Sequence, residues 1–319
     1  MKSTREAYGE ALAGLGDKYP FYVMDADLSK ATQTIQFAKK FPDRFIDMGI
    51  AEANLMAHAA GFAACKETVF ASTFAMFAAG RAYEQIRNSI AYPNLNVKIG
   101  ATHGGVLIGA DGGSHQCIED IALMRAIPNM VVLCPADTLE TYFCVEAALQ
   151  YDGPVYLRFG RMGNPEIYEN REDCRFKIGK GTVVKDGTDV TIIAVGDMVI
   201  RAKKAAGILE QNKISAAVLD MASIKPIDKE LICAYAEKTG CVVTAEDHNV
   251  EGGLGGAVSE ILVKEKPVPV EMIGIQNQFG RSGTPVELEA AYQLRPEDVA
   301  AASEQVIKRK LNMGEGYIK

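Results

Sequence analysis

The sequence predicts an α/β protein made of two doubly wound open-sheet domains. Along almost all of the 319 residues, short apolar runs alternate with longer segments of helical periodicity. This alternation is typical of mainly parallel sheets with helices on both faces. A polar segment with weak periodicity, residues 160–177, interrupts it once, and the length suits two domains of about 100–200 residues. We therefore place the first domain at 1–165, a linker at 166–188 and the second domain at 189–319.

In the first domain, apolar runs predict strands and 3.6-residue periodicity predicts helices. The strands are expected at 21–25, 44–48, 68–72, 96–100, 130–134 and 154–159, and the helices at 51–64, 74–91, 115–126 and 137–150. The second domain repeats the alternation. Its strands are expected at 190–196, 215–220, 240–246 and 270–275, and its helices near 198–211, 228–238, 253–264 and 295–310.

Composition and charge exclude several classes of function. The chain has 34 Lys and Arg against 41 Asp and Glu, a net charge of −7, so we expect no nucleic-acid partner. No apolar run approaches the about 18–20 residues of a membrane span, and the N-terminus lacks the apolar core of a signal peptide. We therefore expect a cytoplasmic protein without membrane contact. The seven cysteines are scattered without CxxC spacing, which indicates buried thiols rather than disulfides or a zinc site.

Polar side chains follow the predicted strands of the first domain. Ligands of open α/β sheets bind beyond the carboxyl ends of the strands, so we expect these side chains to converge on one edge. They are Asp25 and Asp27 after the first strand, Glu52 after the second, Ser72 and Thr73 after the third, His103 after the fourth, and Arg158 and Arg161 after the last.

Glu52 begins a predicted helix whose same face carries apolar residues such as Leu55 and Met56. A buried carboxylate must be paired, capped or protonated, and a first-turn acid that stabilises the helix dipole explains the position equally well. His58 lies about 240° further round the helix, so we place it outside any site.

Phe74 and Phe77 are three residues apart and fit either core aromatics or rings that stack on a planar ligand. The glycine-rich segment 102–116 carries His103, Asp111 and His115. Glycines let the backbone approach a ligand closely, and histidine titrates near neutrality, so a loop role and a chemical role both remain open. We interpret His248 and the glycine turn of 246–260 as structural.

Taken together, these segments resemble the C-terminal half of transketolase. The matching stretches include PDRFIDMGIAEANL, STFAMFAAGRAYEQIR, THGGVLIGADGGSHQ, AEDHNVEGGLGGAVSE and RSGTP. The resemblance implies a mostly parallel pyrimidine-binding domain, a smaller mixed-sheet C-terminal domain and an enzyme that uses thiamine diphosphate.

The resemblance also implies roles for individual residues. Glu52 would contact the aminopyrimidine ring of the cofactor and act in catalysis, and Phe74 would stack on that ring with Phe77 one turn on. Asp27 falls on a further cofactor-binding position. His103 and His115 would act on the substrate carbonyl, with His115 and Asp111 facing the hydroxyls of the donor sugar. Arg5 and Arg161 would bind the sugar phosphate.

Two departures from the family pattern affect these expectations. Ala31 replaces a serine that commonly assists phosphate binding. No GDG motif is present, so the half that binds Mg²⁺ (or Ca²⁺) and the diphosphate is missing. Because the chain starts at Met1, we expect a whole subunit that needs a separate N-terminal diphosphate-binding subunit. We expect two copies of each chain in the complex, and no metal ligands in this chain.

The expected activity is transfer of a two-carbon ketol unit from a ketose phosphate to an aldose phosphate. Alternatives are a split enzyme for an unusual sugar, the beta subunit of a 2-oxo acid dehydrogenase, a deoxyxylulose-phosphate synthase and a non-catalytic binding module. A nicotinamide-dependent oxidoreductase is disfavoured because the first predicted strand is not followed by GxGxxG.

Overall fold

The computed structural model describes residues 1–174 and 176–316 as two sheets covered by helices. The first sheet contains β1 (Tyr22–Asp25), β2 (Phe45–Asp47), β3 (Val69–Phe74), β4 (Val97–Thr102), β5 (Val131–Leu133), β6 (Val155–Arg158) and β10 (Ser223–Lys225). Their order is β10-β5-β6-β4-β3-β1-β2, and every pairing is parallel except that of β10 with β5. All six strands predicted for this domain are present.

Helices cover both faces of the first sheet. They are α1 (Thr4–Leu15), α2 (Ser29–Thr32), α3 (Ile35–Lys40), α4 (Glu52–Ala64), α5 (Asp120–Ala126) and α6 (Thr138–Gln150), with π-helical segments at Phe77–Arg81 and Gln85–Ala91 and a 3₁₀ turn at Pro42–Arg44. Neighbouring residues of β3 alternate between the faces. Phe70 packs with Tyr8 of α1 and Val145 of α6, whereas Ala71 packs with Leu55 of α4.

The second sheet has five strands in the order β12-β11-β8-β9-β7. These are β7 (Thr182–Lys185), β8 (Val190–Ala194), β9 (Ala216–Asp220), β11 (Val242–Asn249) and β12 (Val270–Ile275), with helices α7 (Met198–Gln211), α8 (Lys229–Thr239), α9 (Leu254–Glu265), α10 (Pro285–Ala291) and α11 (Pro296–Gly316). Only β7 runs antiparallel to its neighbour. The expectation of a smaller, mixed second sheet is therefore confirmed.

The two sheets share chain segments across the expected boundaries. The strand β7 lies inside the span assigned to the linker, 166–188, but pairs with β9 of the second sheet. The strand β10 lies inside the span assigned to the second domain, 189–319, but extends the first sheet by pairing with β5. One apolar cluster, containing Met24, Ile99, Leu219 and Leu254, also runs from one sheet to the other.

Two predicted helices differ from the structure. The helix expected at 74–91 starts later, because β3 extends through Phe74, and much of the rest is π-helical. The helix expected at 115–126 starts only at Asp120. The preceding loop stays non-helical because Gln116 donates to the carbonyls of Val106, Gly109 and Arg281.

Helix length and the burial of the cysteines are the remaining features of the fold. Within the described ranges, no helix combines the length and apolar character needed to cross a bilayer. The seven cysteines, all among the described residues, are free thiols, and five of them are buried.

Candidate active site

The carboxylate of Glu52 is buried at the first position of α4 and forms an ion pair. Both of its oxygens accept from Nη1 of Arg81, at 3.1 and 3.3 Å. The Glu52 side chain is 5% exposed and the Arg81 side chain 56%. Leu55, Met56 and Ala59 are buried on the same helix, and His58 lies on the exposed side as expected. The carboxylate therefore sits at the edge of the core, where a second planar group could reach it.

An aromatic cluster adjoins this ion pair. The rings of Phe74 and Phe77 stack with centroids 5.7 Å apart, and the Arg81 guanidinium lies 4.2 Å from the centroid of Phe77. His103 lies 3.9 Å from Phe74, and His115 meets Phe77 edge-on at 5.3 Å. Phe74 ends a strand and Phe77 opens a π-helical turn. The structure thus brings together four predicted residues from β3, the π-helical turn and the glycine-rich segment that follows β4.

His103 is held in one protonation state by its surroundings. It is almost fully buried and adopts a left-handed backbone conformation with φ of 61°. Its Nε2 is 3.4 Å from Nη1 of Arg5, and its Nδ1 is 2.9 Å from the Thr102 hydroxyl. Because arginine only donates, Nε2 accepts and Nδ1 carries the proton. Burial, with Arg5 and Arg161 nearby, lowers the pKa of His103 to about 3, so the ring is neutral at physiological pH.

A cleft of about 640 Å³ lies beside His103 and is lined by two arginines. Arg5 comes from α1 and Arg161 from the segment after β6, while Thr284 and Glu287 of the second domain form the opposite wall. Burial and the neighbouring Arg161 lower the pKa of Arg5. Two guanidiniums in one cleft favour an anionic ligand, and their planar fork suits phosphate oxygens.

The detailed contacts of the two arginines also point to a ligand. Arg5 donates to the Ala31 carbonyl at 2.9 Å, while its buried Nε has no hydrogen-bond partner among the described residues. Arg161 donates to the Asp111 carboxylate at 2.9 Å and to the Ile108 carbonyl at 3.0 Å. Asp111 therefore faces Arg161 in this structure. The alanine that replaces the family serine lies directly against Arg5.

Asp27 lies apart from these contacts. It follows β1, is exposed and has φ of 60°, and its backbone N–H donates to Asp47. Because β1 pairs with β3, Asp27 occupies the same carboxyl edge as Phe74. Its neighbour Asp25 is buried and accepts from Thr32 and Thr34. Burial raises the pKa of Asp25 to about 6, and its hydrogen bonds indicate a structural role.

The loop that carries His103 is held by a buried network that the sequence analysis did not identify. Asp247 of β11 accepts from the backbone N–H groups of Val106 and Leu107, at 2.9 and 3.1 Å. Gly105 makes this approach possible, since a Cβ there would lie 2.0 Å from the Asp247 carboxylate. Arg158 donates to the Asp247 carbonyl and pairs with Asp120 at 2.8 Å. The second domain thus shapes the site loop of the first.

The glycine turn near His248 has the structural role that we expected. Nε2 of His248 accepts from the backbone N–H of Ile121 at the start of α5. The Glu246 carboxylate accepts from the N–H groups of Leu254 and Gly255 at the start of α9. Burial lowers the pKa of His248 to about 4 and raises that of Glu246 to about 7. Both side chains cap helix N-termini, where backbone donors are otherwise unpaired.

Arg81 is the residue in contact with the site that sequence reasoning missed. It lies inside the STFAMFAAGRAYEQIR stretch, four residues after Phe77. Residues four apart in a helical segment are neighbours on its surface, so this spacing could have indicated that Arg81 contacts Phe77. In the described parts of the chain, no group of three or more His, Cys, Asp or Glu residues could hold a metal ion. Chemically, the site offers a buried carboxylate paired with Arg81 beside an aromatic ring, a neutral imidazole and a cleft lined by two arginines.

Most of the chain is similar to known protein families. Residues 1–165 match the family described as transketolase, pyrimidine binding domain, and residues 179–299 match transketolase, C-terminal domain. A Methanocaldococcus jannaschii protein named "Putative transketolase C-terminal section" is 50% identical over 311 residues, which are 97% of this chain and 98% of that protein.

Two further proteins are similar along nearly the whole chain. A Phocaeicola vulgatus protein, named as one of the subunits of an apulose-4-phosphate transketolase, is 41% identical over 310 residues, covering 97% of this chain and 99% of the relative. A solved structure described as "Split gene transketolase, inactive beta4 tetramer" is 53% identical and superposes with a TM-score of 0.90, covering 97% of this chain and 100% of the other.

Proposed function

This chain belongs to the transketolase family, and we propose that it is one subunit of a split transketolase that uses thiamine diphosphate. The proposed reaction moves a two-carbon ketol unit from a ketose phosphate to an aldose phosphate. The observation that carries the proposal is the buried Glu52 carboxylate, which Arg81 links to the half-buried Phe77 ring, together with a cleft lined by two arginines.

The residues present fit the pyrimidine half of this cofactor. An aminopyrimidine needs a flat face to stack on and a carboxyl group at its edge. Phe77 and Glu52 offer both, and the planar Arg81 guanidinium already makes the same two contacts. When bound, thiamine diphosphate supplies a nucleophilic carbon that adds to the ketose carbonyl. Glu52 would hold the proton shared with the ring, in a position largely shielded from water.

The remaining residues would bind and orient the sugar. Arg5 and Arg161 would hold its phosphate in the cleft. His103, as a neutral imidazole, would form a hydrogen bond near the reacting carbonyl, and His115, whose ring meets Phe77 edge-on, would face the sugar hydroxyls. For His103 to donate from Nε2, Arg5 would have to move to the phosphate and the ring would have to change tautomer.

A partner chain would supply the diphosphate site and the Mg²⁺ or Ca²⁺. The names of two relatives, a C-terminal section and a split-gene transketolase, support this part of the proposal. We propose an N-terminal transketolase subunit as the partner, with two copies of each chain and the sites at the interfaces between them.

The function is tested by reconstitution. The chain is co-purified with its partner, and glycolaldehyde transfer from xylulose 5-phosphate to ribose 5-phosphate is assayed with thiamine diphosphate and Mg²⁺, for each chain alone and for the mixture. Transfer only by the mixture is the expected result. A tight complex without this transfer would redirect the search to another donor sugar or to 2-oxo acids. Transfer by this chain alone would contradict the need for a partner.

Glu52 is tested in the same complex. We expect Glu52→Gln to lower turnover by about 10²-fold or more, within the usual range for loss of a proton-transfer group, while the complex still assembles. Glu67→Gln, which changes an exposed acid shortly after α4, serves as the control. Near-normal turnover of the Glu52 variant would remove this residue from the mechanism.

A further inference from the structure

Arg81 makes two contacts that together define a planar binding position. Its guanidinium lies over the Phe77 ring, 4.2 Å from the centroid, and its Nη1 donates to both oxygens of Glu52. A guanidinium is flat, delocalised and rich in N–H groups, so it stacks on aromatic faces and bonds to carboxylates at the same time. A small planar heterocycle would use the same ring and the same carboxylate.

The Arg81 side chain has space to move away from this binding position. More than half of the Arg81 side chain is exposed, whereas Glu52 is almost fully buried. Arg81 ends the π-helical turn that Phe77 begins, and such turns are frequent at functional sites. A second cleft, of about 330 Å³, opens beside Phe77 and Arg81 and is lined on its far side by Phe279 and Gly280. The guanidinium can therefore leave through side-chain rotation, without repacking the core.

We propose that Arg81 occupies the position of the cofactor's aminopyrimidine ring when the ring is absent, and that the ring binds by displacing it. Arg81 is then a substitute partner that keeps the buried Glu52 carboxylate compensated in the empty subunit. An unpaired carboxylate at this depth would be costly. The proposal rests on the proposed function, because it requires a ring that stacks on Phe77.

The exchange has a chemical consequence for Glu52. Arginine is only a donor, so Glu52 is an acceptor while Arg81 is in place. A ring nitrogen is an acceptor, so Glu52 must become a donor when the ring replaces Arg81. Among the described residues, Arg81 is the charged group in contact with this carboxylate. The His115 ring contacts Phe77 edge-on, and Glu119 lines the cleft beside Arg81. Cofactor binding is therefore coupled to uptake of one proton for each site.

The test measures cofactor affinity and proton uptake in the assembled complex. Thiamine diphosphate with Mg²⁺ is titrated calorimetrically in two buffers of different ionisation enthalpy, at mildly alkaline pH. The variants are Arg81→Met, which keeps the length of the side chain without the guanidinium, and Arg81→Lys, which keeps the charge without the plane. Arg87→Met is the matched control, since Arg87 is exposed and bonds to Asn88.

We expect Arg81→Met to bind the cofactor about tenfold more tightly than the unmodified complex. A half-exposed ion pair and a cation–π contact no longer compete with the ring, and tenfold corresponds to about 1.4 kcal/mol. Arg81→Lys should lie between the two, and Arg87→Met should match the unmodified complex.

The outcomes separate this inference from the proposed function. If the unmodified complex binds the cofactor without taking up a proton, or if Arg81→Met and Arg81→Lys have unchanged affinity, Arg81 is no substitute partner, while the function stands. Weaker binding by Arg81→Met would also overturn the inference, because it would make Arg81 a ligand of the cofactor. If the unmodified complex binds no thiamine diphosphate, the proposed function fails and the inference fails with it.

Discussion

The contact between Asp247 and the His103 loop predicts a measurable loss of stability when the carboxylate becomes an amide. Asp247 accepts from two backbone N–H groups, those of Val106 and Leu107. In Asp247→Asn, one oxygen can still accept, but the amide nitrogen is a donor and faces the second N–H. The variant therefore keeps one bond, loses one bond and leaves a buried donor unpaired.

The magnitude follows from the burial of this contact. Leaving a buried donor unsatisfied costs about 1–3 kcal/mol, and replacing a charge-assisted bond by a neutral one adds to that cost. Burial raises the pKa of Asp247, so neutralising it returns part of the desolvation energy. We expect a net loss of about 2–3 kcal/mol, which lowers the melting temperature by roughly 5–10 °C at about 2–4 °C per kcal/mol.

Two measurements check this prediction. Thermal unfolding reports the stability, and amide hydrogen exchange reports whether the N–H groups of Val106 and Leu107 open more often. Asp43→Asn, which changes an exposed acid, is the control for loss of one negative charge. A melting temperature within about 1 °C of the unmodified chain, with unchanged exchange at both amides, would refute the view that Asp247 holds the loop.

Three further predictions concern other contacts of the site. Arg161→Ala should raise KM for phosphorylated ketoses by about 10-fold or more, in line with the about 1.5–3 kcal/mol of a bond to a charged group, and should change KM for unphosphorylated sugars little. His103 has a pKa lowered to about 3, and a lowered pKa favours the neutral base, so its NMR signals should show a neutral ring throughout the physiological range. Gly253→Ala should cost about 1–3 kcal/mol of stability, because its Cβ would lie 2.0 Å from Glu246 Oε2.

Each of these predictions has its own control. Arg171→Ala removes an exposed arginine from another surface and should leave KM unchanged. Equal effects of Arg161→Ala on both classes of sugar would make Arg161 structural. With only four histidines in the chain, His103→Asn assigns the signal, and a transition between about pH 6 and 7, the range of unperturbed histidine, would contradict the prediction. Gly207→Ala meets nothing within 4 Å and should stabilise α7 slightly, whereas equal stability of the two alanine variants would contradict the steric argument.

Much of the fold was predictable because buried strands and helices can be recognised from the local pattern of apolar residues. Apart from β7 and β10, which were not predicted, the strands of both sheets coincide with apolar runs, and helices such as α4 and α6 lie where their periodicity placed them. The exceptions depend on distant partners. β10 joins the first sheet only because β5 offers a free edge about ninety residues away in the chain. The loop before α5 is not helical because the Gln116 side chain donates hydrogen bonds to three backbone carbonyls, one of them in the second domain.

The candidate site was predictable as a set of residue types, but its pairings were not. The carboxyl ends of parallel strands lie at one edge of a sheet, so the order of polar residues indicated that Glu52, His103 and Arg161 would share that edge. No local pattern indicates that Arg81 pairs with Glu52, that Asp111 pairs with Arg161, or that His103 is neutral. These properties depend on the distances between side chains and on the water that surrounds them.

The sequence by itself therefore determined the alternation of strands and helices, the edge at which polar residues collect and the resemblance to one family. The tertiary structure decided which strand joins which sheet, which charges are compensated and which protonation state His103 adopts. The physical reason is the range of the interactions. Periodicity and turn preferences act over a few residues of the chain, whereas desolvation and charge pairing act between groups that only folding brings together.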